Sequence, residues 1–110
     1  MTQLTRAFAA LSDPTRMALV ETLIARGELP AGVLAGEAEI SAPAISRHLK
    51  VLREAGLIAQ RVEGTHRYYT ARPEALAAIS GWCMGHRAFW EGSLARLDSL
   101  LALDPEGEDP

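Results

Sequence analysis

The stretch "SAPAISRHLKVLREAGLI", residues 41–58, decides how the chain is read. Ile45, Leu49 and Leu52 recur at i, i+4 and i+7, the spacing of one inward helical face. Ser41 supplies an N-cap, Pro43 is tolerated in the first turn, and Gly56 stops the helix. Ala42, Pro43, Ser46, Arg47 and Lys50 are left outside, small at the start and basic afterwards. A merely solvated helix more often mixes Glu and Lys at i, i+4, yet Glu54 is the only acid here before Glu63. Small residues let a helix N-terminus approach base edges in a major groove, and an arginine such as Arg47 can pair bidentately with guanine. A groove-reading surface is the expectation.

The charge of the whole chain hides this. The net charge is −3 over 110 residues, but the C-terminal "DPEGEDP", residues 104–110, carries four of the 14 acids and no base. Residues 41–72 hold Arg47, Lys50, Arg53, Arg61, Arg67 and Arg72 against Glu54 and Glu63, a local excess of four positive charges. A polyanion responds to the local field rather than the total.

The flanking sequence supplies the rest of a small domain. Leu4, Phe8 and Leu11 form an apolar stripe, and "SDP" interrupts with Asp13 as N-cap and Pro14 at the first helical position. Leu19, Val20, Leu23 and Ile24 give the second helix a wide stripe ended by Gly27, with Arg16 expected in a structural ion pair. Pro30 opens a short third helix with Val33 and Leu34 inward, and Glu39-Ile40-Ser41 forms the turn into the basic helix. Beyond Gly56 the period changes to alternation. "LIAQRVEGTHRYYTA" predicts a two-stranded hairpin turning at Gly64-Thr65, its tip crowded by Arg61, His66 and Arg67. Pro73 begins a long closing helix in which Leu76, Ile79, Cys83, His86, Trp90, Leu94, Leu97 and Leu101 recur every three or four residues, with a kink allowed by Gly81, Gly85 and Gly92.

The predicted order is α-α-α-α-β-β-α, mostly helical with one small β-hairpin. A short helix, tight turn and second amphipathic helix make a helix-turn-helix, and the following hairpin makes it winged. The expected organisation is one domain over residues 1–103 and an acidic, disordered tail over 104–110.

Three segments, "ALSDPTRMALVETL", "SAPAISRHLKVLREAGLI" and "RVEGTHRYYTA", in this order and spacing, resemble the ArsR/SmtB-type winged helix-turn-helix repressors. The resemblance covers residues 4–101. It implies a homodimer, a recognition helix at 42–55, a wing at 58–71, and repression of a promoter that some signal lifts. The segment "WCMGHRAFWEGSLARLDSLL" resembles members whose closing helix carries an aromatic FWE segment in place of a metal site. Two departures stand out. The stretch matching the metal sensors' Cys-x-Cys region, "GELPAGVLAGEAEI", has no cysteine or histidine, and Glu39 stands in a turn where glycine is common. A positive φ at Glu39 would cost about 1 kcal/mol.

The expected DNA-facing set is Ser41, Ala42, Pro43, Ser46, Arg47, Lys50, Arg61, His66 and Arg67, and the partner is double-stranded DNA with an inverted-repeat operator. Leu4, Phe8 and Leu11, with Trp90, Leu94, Leu97 and Leu101, exceed what a small core needs and are expected to pair two chains. His48, beside Leu49, is expected half-buried and hydrogen-bonded rather than on DNA. Trp82, Phe89 and Trp90 are expected to pack in the core or dimer seam rather than cage a ligand. Cys83 and His86 have C-x-x-H spacing, but two ligands do not close a zinc site, so no metal and no cofactor is expected. A Cys83 nucleophile would need a base beside it and sits instead on an apolar seam, so an enzyme is not expected. The single cysteine fits a reducing compartment, and nowhere do 18 apolar residues run together, so the protein is expected in the cytoplasm without a membrane partner. The alternative class is a winged-helix protein-interaction module, which acids among the exposed positions of residues 42–50 would favour; there are none.

Overall fold

A computed structural model describes residues 2–103; the expectation for the acidic tail, 104–110, lies outside the described residues. The elements are α1 (Gln3–Leu11), α2 (Pro14–Arg26), β1 (Leu29–Pro30), α3 (Ala31–Ala38), α4 (Ala42–Glu54), β2 (Ile58–Glu63), β3 (His66–Ala71), α5 (Pro73–Gly85) and α6 (Arg87–Leu103). The chain divides into two compact units, one ending at Ala78 and the other beginning at Ile79.

In the first unit each helix starts where its cap dictates. Thr2 accepts from the Thr5 N–H at 3.2 Å, Asp13 from Arg16 at 3.0 Å, and Ser41 from Ala44 at 3.3 Å. Such a side chain satisfies one of the N–H groups a helix start leaves without a partner. Helix α4 ends in a Schellman closure, in which the Leu57 N–H reaches the Leu52 carbonyl at 3.0 Å and the Gly56 N–H reaches Arg53 at 2.9 Å. Glycine suits that position, because φ is +76° and a Cβ would stand 2.1 Å from the Gln3 amide nitrogen and displace the side chain that bonds the Ala55 carbonyl. Helix α3 closes the same way, Ile40 N–H to Ala35 at 3.2 Å and Glu39 N–H to Gly36 at 3.3 Å, but with Glu39 in the left-handed position at φ 57°.

The core is the meeting of α1, α2, α3 and α4 over the sheet. Leu23, Leu34, Leu49, Leu52, Leu57 and Ile58 are its most deeply buried large side chains. Two expected inward residues are not inward: Ile24 is 53% exposed and Val33 38%. Each stands beside a buried leucine (Leu23 and Leu34), so the buried stripe on its helix is narrower than the run of apolar residues suggested. The hairpin pairs Ile58 with Ala71 through Glu63 with His66, turning at Gly64-Thr65 with Gly64 at φ +62°. A positive φ at the first central residue is the type II′ arrangement. The two-residue β1 adds a third strand, pairing Leu29 with Tyr69 and Pro30 with Tyr68, for a sheet order β1-β3-β2.

In the second unit the expected single closing helix is broken. Helix α5 ends at Gly85, His86 stands between, and α6 begins at Arg87. The Trp90 indole bridges the break by donating to the Cys83 carbonyl at 2.9 Å. Along α6, Leu94, Leu97, Leu100 and Leu101 are between 44% and 61% exposed.

Candidate nucleic-acid interface

With Ile45, Leu49 and Leu52 at most 2% exposed, the opposite face of α4 has to look outward. Ser41, Ala42, Pro43, Ser46, Arg47 and Lys50 are all exposed on it. The cations divide by what already holds them. Lys50 lies 3.9 Å from Glu54, both largely exposed, a pair worth little in water. Arg53 donates to the Gln60 side chain, whose amide reaches the Tyr69 hydroxyl at 3.4 Å, so the end of α4 is linked to the base of the wing. Among the described residues, Arg47 and Arg67 have no intrachain hydrogen-bond or ion-pair partner to their guanidinium groups.

Arg61 is held quite differently. Its guanidinium meets Glu28 through two bonds of 3.0 and 2.7 Å and Glu63 through one of 2.5 Å, and it lies 4.6 Å over the Tyr68 ring. The Arg61 bonds hold the Glu28 carboxyl below its ordinary range, and the two carboxylates raise Arg61 further above its own. Arg61 therefore fastens β2 to the segment leading into β1, and its positive charge is largely cancelled within the wing. Glu28 was not singled out by the sequence because it lies 33 residues from Arg61 and no local pattern joins them. His66 and Arg67 are exposed where β3 leaves the turn.

Behind α4, Arg16 donates through Nε to the Ala10 carbonyl at 2.7 Å and stands 3.5 Å from Nδ1 of half-buried His48. Its expected role was an ion pair; the observed role is a hydrogen bond joining α1, α2 and α4. The Asp13 carboxyl is held below its ordinary range, chiefly by the Arg16 N–H.

Of the residues expected to pair two chains, Phe8 is 40% exposed, Leu94 53%, Leu97 52% and Leu101 44%, while Leu4, Leu11 and Trp90 are half-buried. Trp82 and Phe89, expected in a core or seam, are 50% and 77% exposed within the chain. No group of three or more His, Cys, Asp or Glu among the described residues could hold a metal ion. No described helix is long and apolar enough to cross a membrane.

Comparison with known proteins agrees with this geometry. A family described as a helix-turn-helix domain matches residues 11–61. The HTH-type transcriptional regulator Rv2034 of Mycobacterium tuberculosis is 43% identical over 104 residues, covering 94% of this chain and 92% of that protein. The transcriptional repressor SdpR of Bacillus subtilis is 35% identical over 77 residues, covering 70% of this chain and 84% of the relative. Among solved structures, the ArsR family transcriptional regulator RHA00566 superposes with a TM-score of 0.73 at 30% identity, over 81% of this chain and 91% of that one. The homodimeric winged helix-turn-helix DNA-binding domain of Mb0332 from Mycobacterium bovis, a possible ArsR-family regulator, gives a TM-score of 0.64 at 26% identity, over 78% and 82%. With the sequence motifs, the fold and these relatives in agreement, the chain belongs to the ArsR/SmtB-type winged helix-turn-helix transcriptional regulators.

Proposed function

We propose that the protein is a homodimeric, sequence-specific DNA-binding repressor, acting in the cytoplasm at an inverted-repeat operator and released by a signal. The observation that carries this is the outer face of α4, where Arg47 follows Ser41, Ala42, Pro43 and Ser46 and has no partner among the described residues. An unpaired guanidinium one turn into a helix with a small-residue start is free to pair with a base, whereas a structural arginine is engaged, as Arg16 and Arg61 are. Ser41, Ala42, Pro43, Ser46 and Lys50 bring the helix end to the groove, and His66 and Arg67 extend the contact along the backbone. Arg61 acts on DNA through the wing it fastens, with Glu28 and Glu63 occupying its donors.

Pairing follows from the same logic. One chain offers one recognition helix, and two-fold sites need two helices about 34 Å apart. Phe8 on α1 and Leu94, Leu97 and Leu101 on α6 are large apolar side chains left in water by a single chain, and Leu4 and Leu11 on α1 and Trp90 on α6 are half-buried. The names of the relatives, a repressor and a homodimeric DNA-binding domain, support the reading. The test is sedimentation of the protein with and without a duplex carrying the inverted repeat upstream of its own gene. Two chains per duplex and a dimer at micromolar concentration are expected. A monomer that binds no duplex would overturn the proposal.

A further inference from the structure

Helices α1, α2 and α4 leave between them a cavity of about 580 Å³, wholly within the first unit, that the DNA reading does not use. Its floor is Ala9, Ala10, Val51 and Ala55, and its charged members are Arg6, Arg16 and Glu54. Among the described residues neither arginine makes an ion pair. Half-buried Arg16 is held by its Nε bond to the Ala10 carbonyl at 2.7 Å, with one terminal nitrogen 3.5 Å from His48 Nδ1. Its other terminal nitrogen has no partner among the described residues, and the Asp13 carboxylate acts on it only from beyond ion-pair distance. Exposed Arg6 has no side-chain partner among them at all. Glu54, the single acid of the lining, faces Lys50 at 3.9 Å. The cavity therefore joins an apolar floor to an uncompensated positive charge.

We infer that this cavity is a binding site for a small organic acid, a single carboxylate on an apolar body. The volume lies within the roughly 300–1,000 Å³ of pockets that take small organic ligands. Guanidinium groups match a carboxylate in shape and charge, and the apolar body covers the alanines and Val51. An ammonium ion would meet two like charges, a neutral molecule would leave both arginines unused, and inorganic phosphate would leave the floor in water. A second copy of the chain is not the occupant that α1 offers here. At about 100° per residue, Leu4, Phe8 and Leu11 share an arc of about 60°, and Arg6 and Ala9 lie about 130–170° from its middle. Two chains paired through that arc meet on the far side of α1 from the cavity. Val51 and Glu54 follow Arg47 at i+4 and i+7, so an occupant lies along the reading helix, C-terminal to its contact residues. The binding stands by itself; a role as the point where the repressor's signal enters rests on the proposed function.

The probe is 4-(trifluoromethyl)benzoate, titrated against the full-length protein without DNA at neutral pH and followed by fluorine NMR. Its amide, 4-(trifluoromethyl)benzamide, has the same shape and no charge. The acid should bind with a Kd on the order of 1 mM or tighter, and the amide about tenfold more weakly. Arg6→Gln should weaken the acid about tenfold and leave the amide unchanged, and Arg6→Lys should recover part of the loss. Ala9→Leu fills the floor and should weaken both probes, with far-UV circular dichroism unchanged in every variant. Acid and amide binding alike, or acid binding undiminished in Arg6→Gln and Ala9→Leu, would overturn the inference. So would an Arg6→Gln protein whose duplex binding falls with a salt slope lower by about one, since Arg6 would then be a phosphate contact. As the signal's entry, the bound acid should weaken duplex binding by the parent and not by Arg6→Gln; an acid that binds and leaves duplex affinity unmoved would overturn that role. A parent that binds no duplex would leave the acid titration untouched.

Discussion

Replacing Glu39 with glycine should make the protein more stable, by an amount the structure divides into two parts. Glu39 closes α3 at φ 57° and ψ 40°, the left-handed region, where Gly56 closes α4 in the same motif. A side chain with a Cβ costs about 1–2 kcal/mol in that conformation. Glycine removes this cost but loses about 0.5–1 kcal/mol through the greater freedom of its unfolded chain. Separately, a carboxylate at the negative end of a helix costs about 0.3–1 kcal/mol. Glu39→Ala removes only the charge and should gain a few tenths of a kcal/mol, whereas Glu39→Gly should exceed it by about 0.5–1 kcal/mol. That difference corresponds to roughly 2–8 °C in the melting midpoint of a domain this small. The assay is thermal and urea unfolding of the parent and both variants at one protein concentration, because pairing makes the midpoint concentration-dependent. A Glu39→Gly protein no more stable than Glu39→Ala would refute the backbone argument and leave only the charge.

Three further outcomes are expected. Glu28→Gln should lower stability at neutral pH. Because Arg61 depresses the Glu28 pKa, its contribution is complete above the ordinary value of 4.5 and is lost as pH falls through the depressed one. The variant should therefore lose less than the parent in urea unfolding between pH 5 and acid, and parallel pH profiles would count against the Arg61 bridge. Leu94→Glu with Leu97→Glu should give monomers with weak DNA binding; a double variant still sedimenting as a dimer would move the interface elsewhere. Promoter binding should not change with zinc, nickel, cadmium or arsenite, with or without chelator. A metal-dependent loss that vanishes in Cys83→Ser would contradict this.

What could be read from the sequence depended on whether the cause was local. Helix α4 was legible because its cap, its inward residues and its glycine stop lie within 16 residues. The hairpin was legible because alternation flanks a Gly-Thr pair. Strand β1 was not: Leu29–Pro30 is too short to alternate, and its partner Tyr69 is 40 residues away in sequence. The break at His86 was hidden because the apolar spacing continues through it from Cys83 to Trp90, allowing a kink without locating one. Among the cations, Arg61 and Arg67 stand equal in the sequence, and the approach of Glu28 and Glu63 separates an arginine that builds the wing from one with no partner among the described residues. Trp82 and Phe89 show the same limit: their spacing fits packing, and within one chain they stand 50% and 77% exposed.

The most direct test of DNA reading by α4 is fluorescence anisotropy with labelled duplex, comparing the gene's upstream inverted repeat with a scrambled sequence at several salt concentrations. The parent should prefer the repeat by about 10³-fold or more. Arg47→Ala should lose about 1–3 kcal/mol on the repeat and little on the scrambled duplex, so that preference narrows. Arg67→Ala should weaken both duplexes alike and reduce the salt slope by about one. An Arg47→Ala protein that keeps the parent's affinity and preference for the repeat would contradict the assignment of α4 as the reading helix.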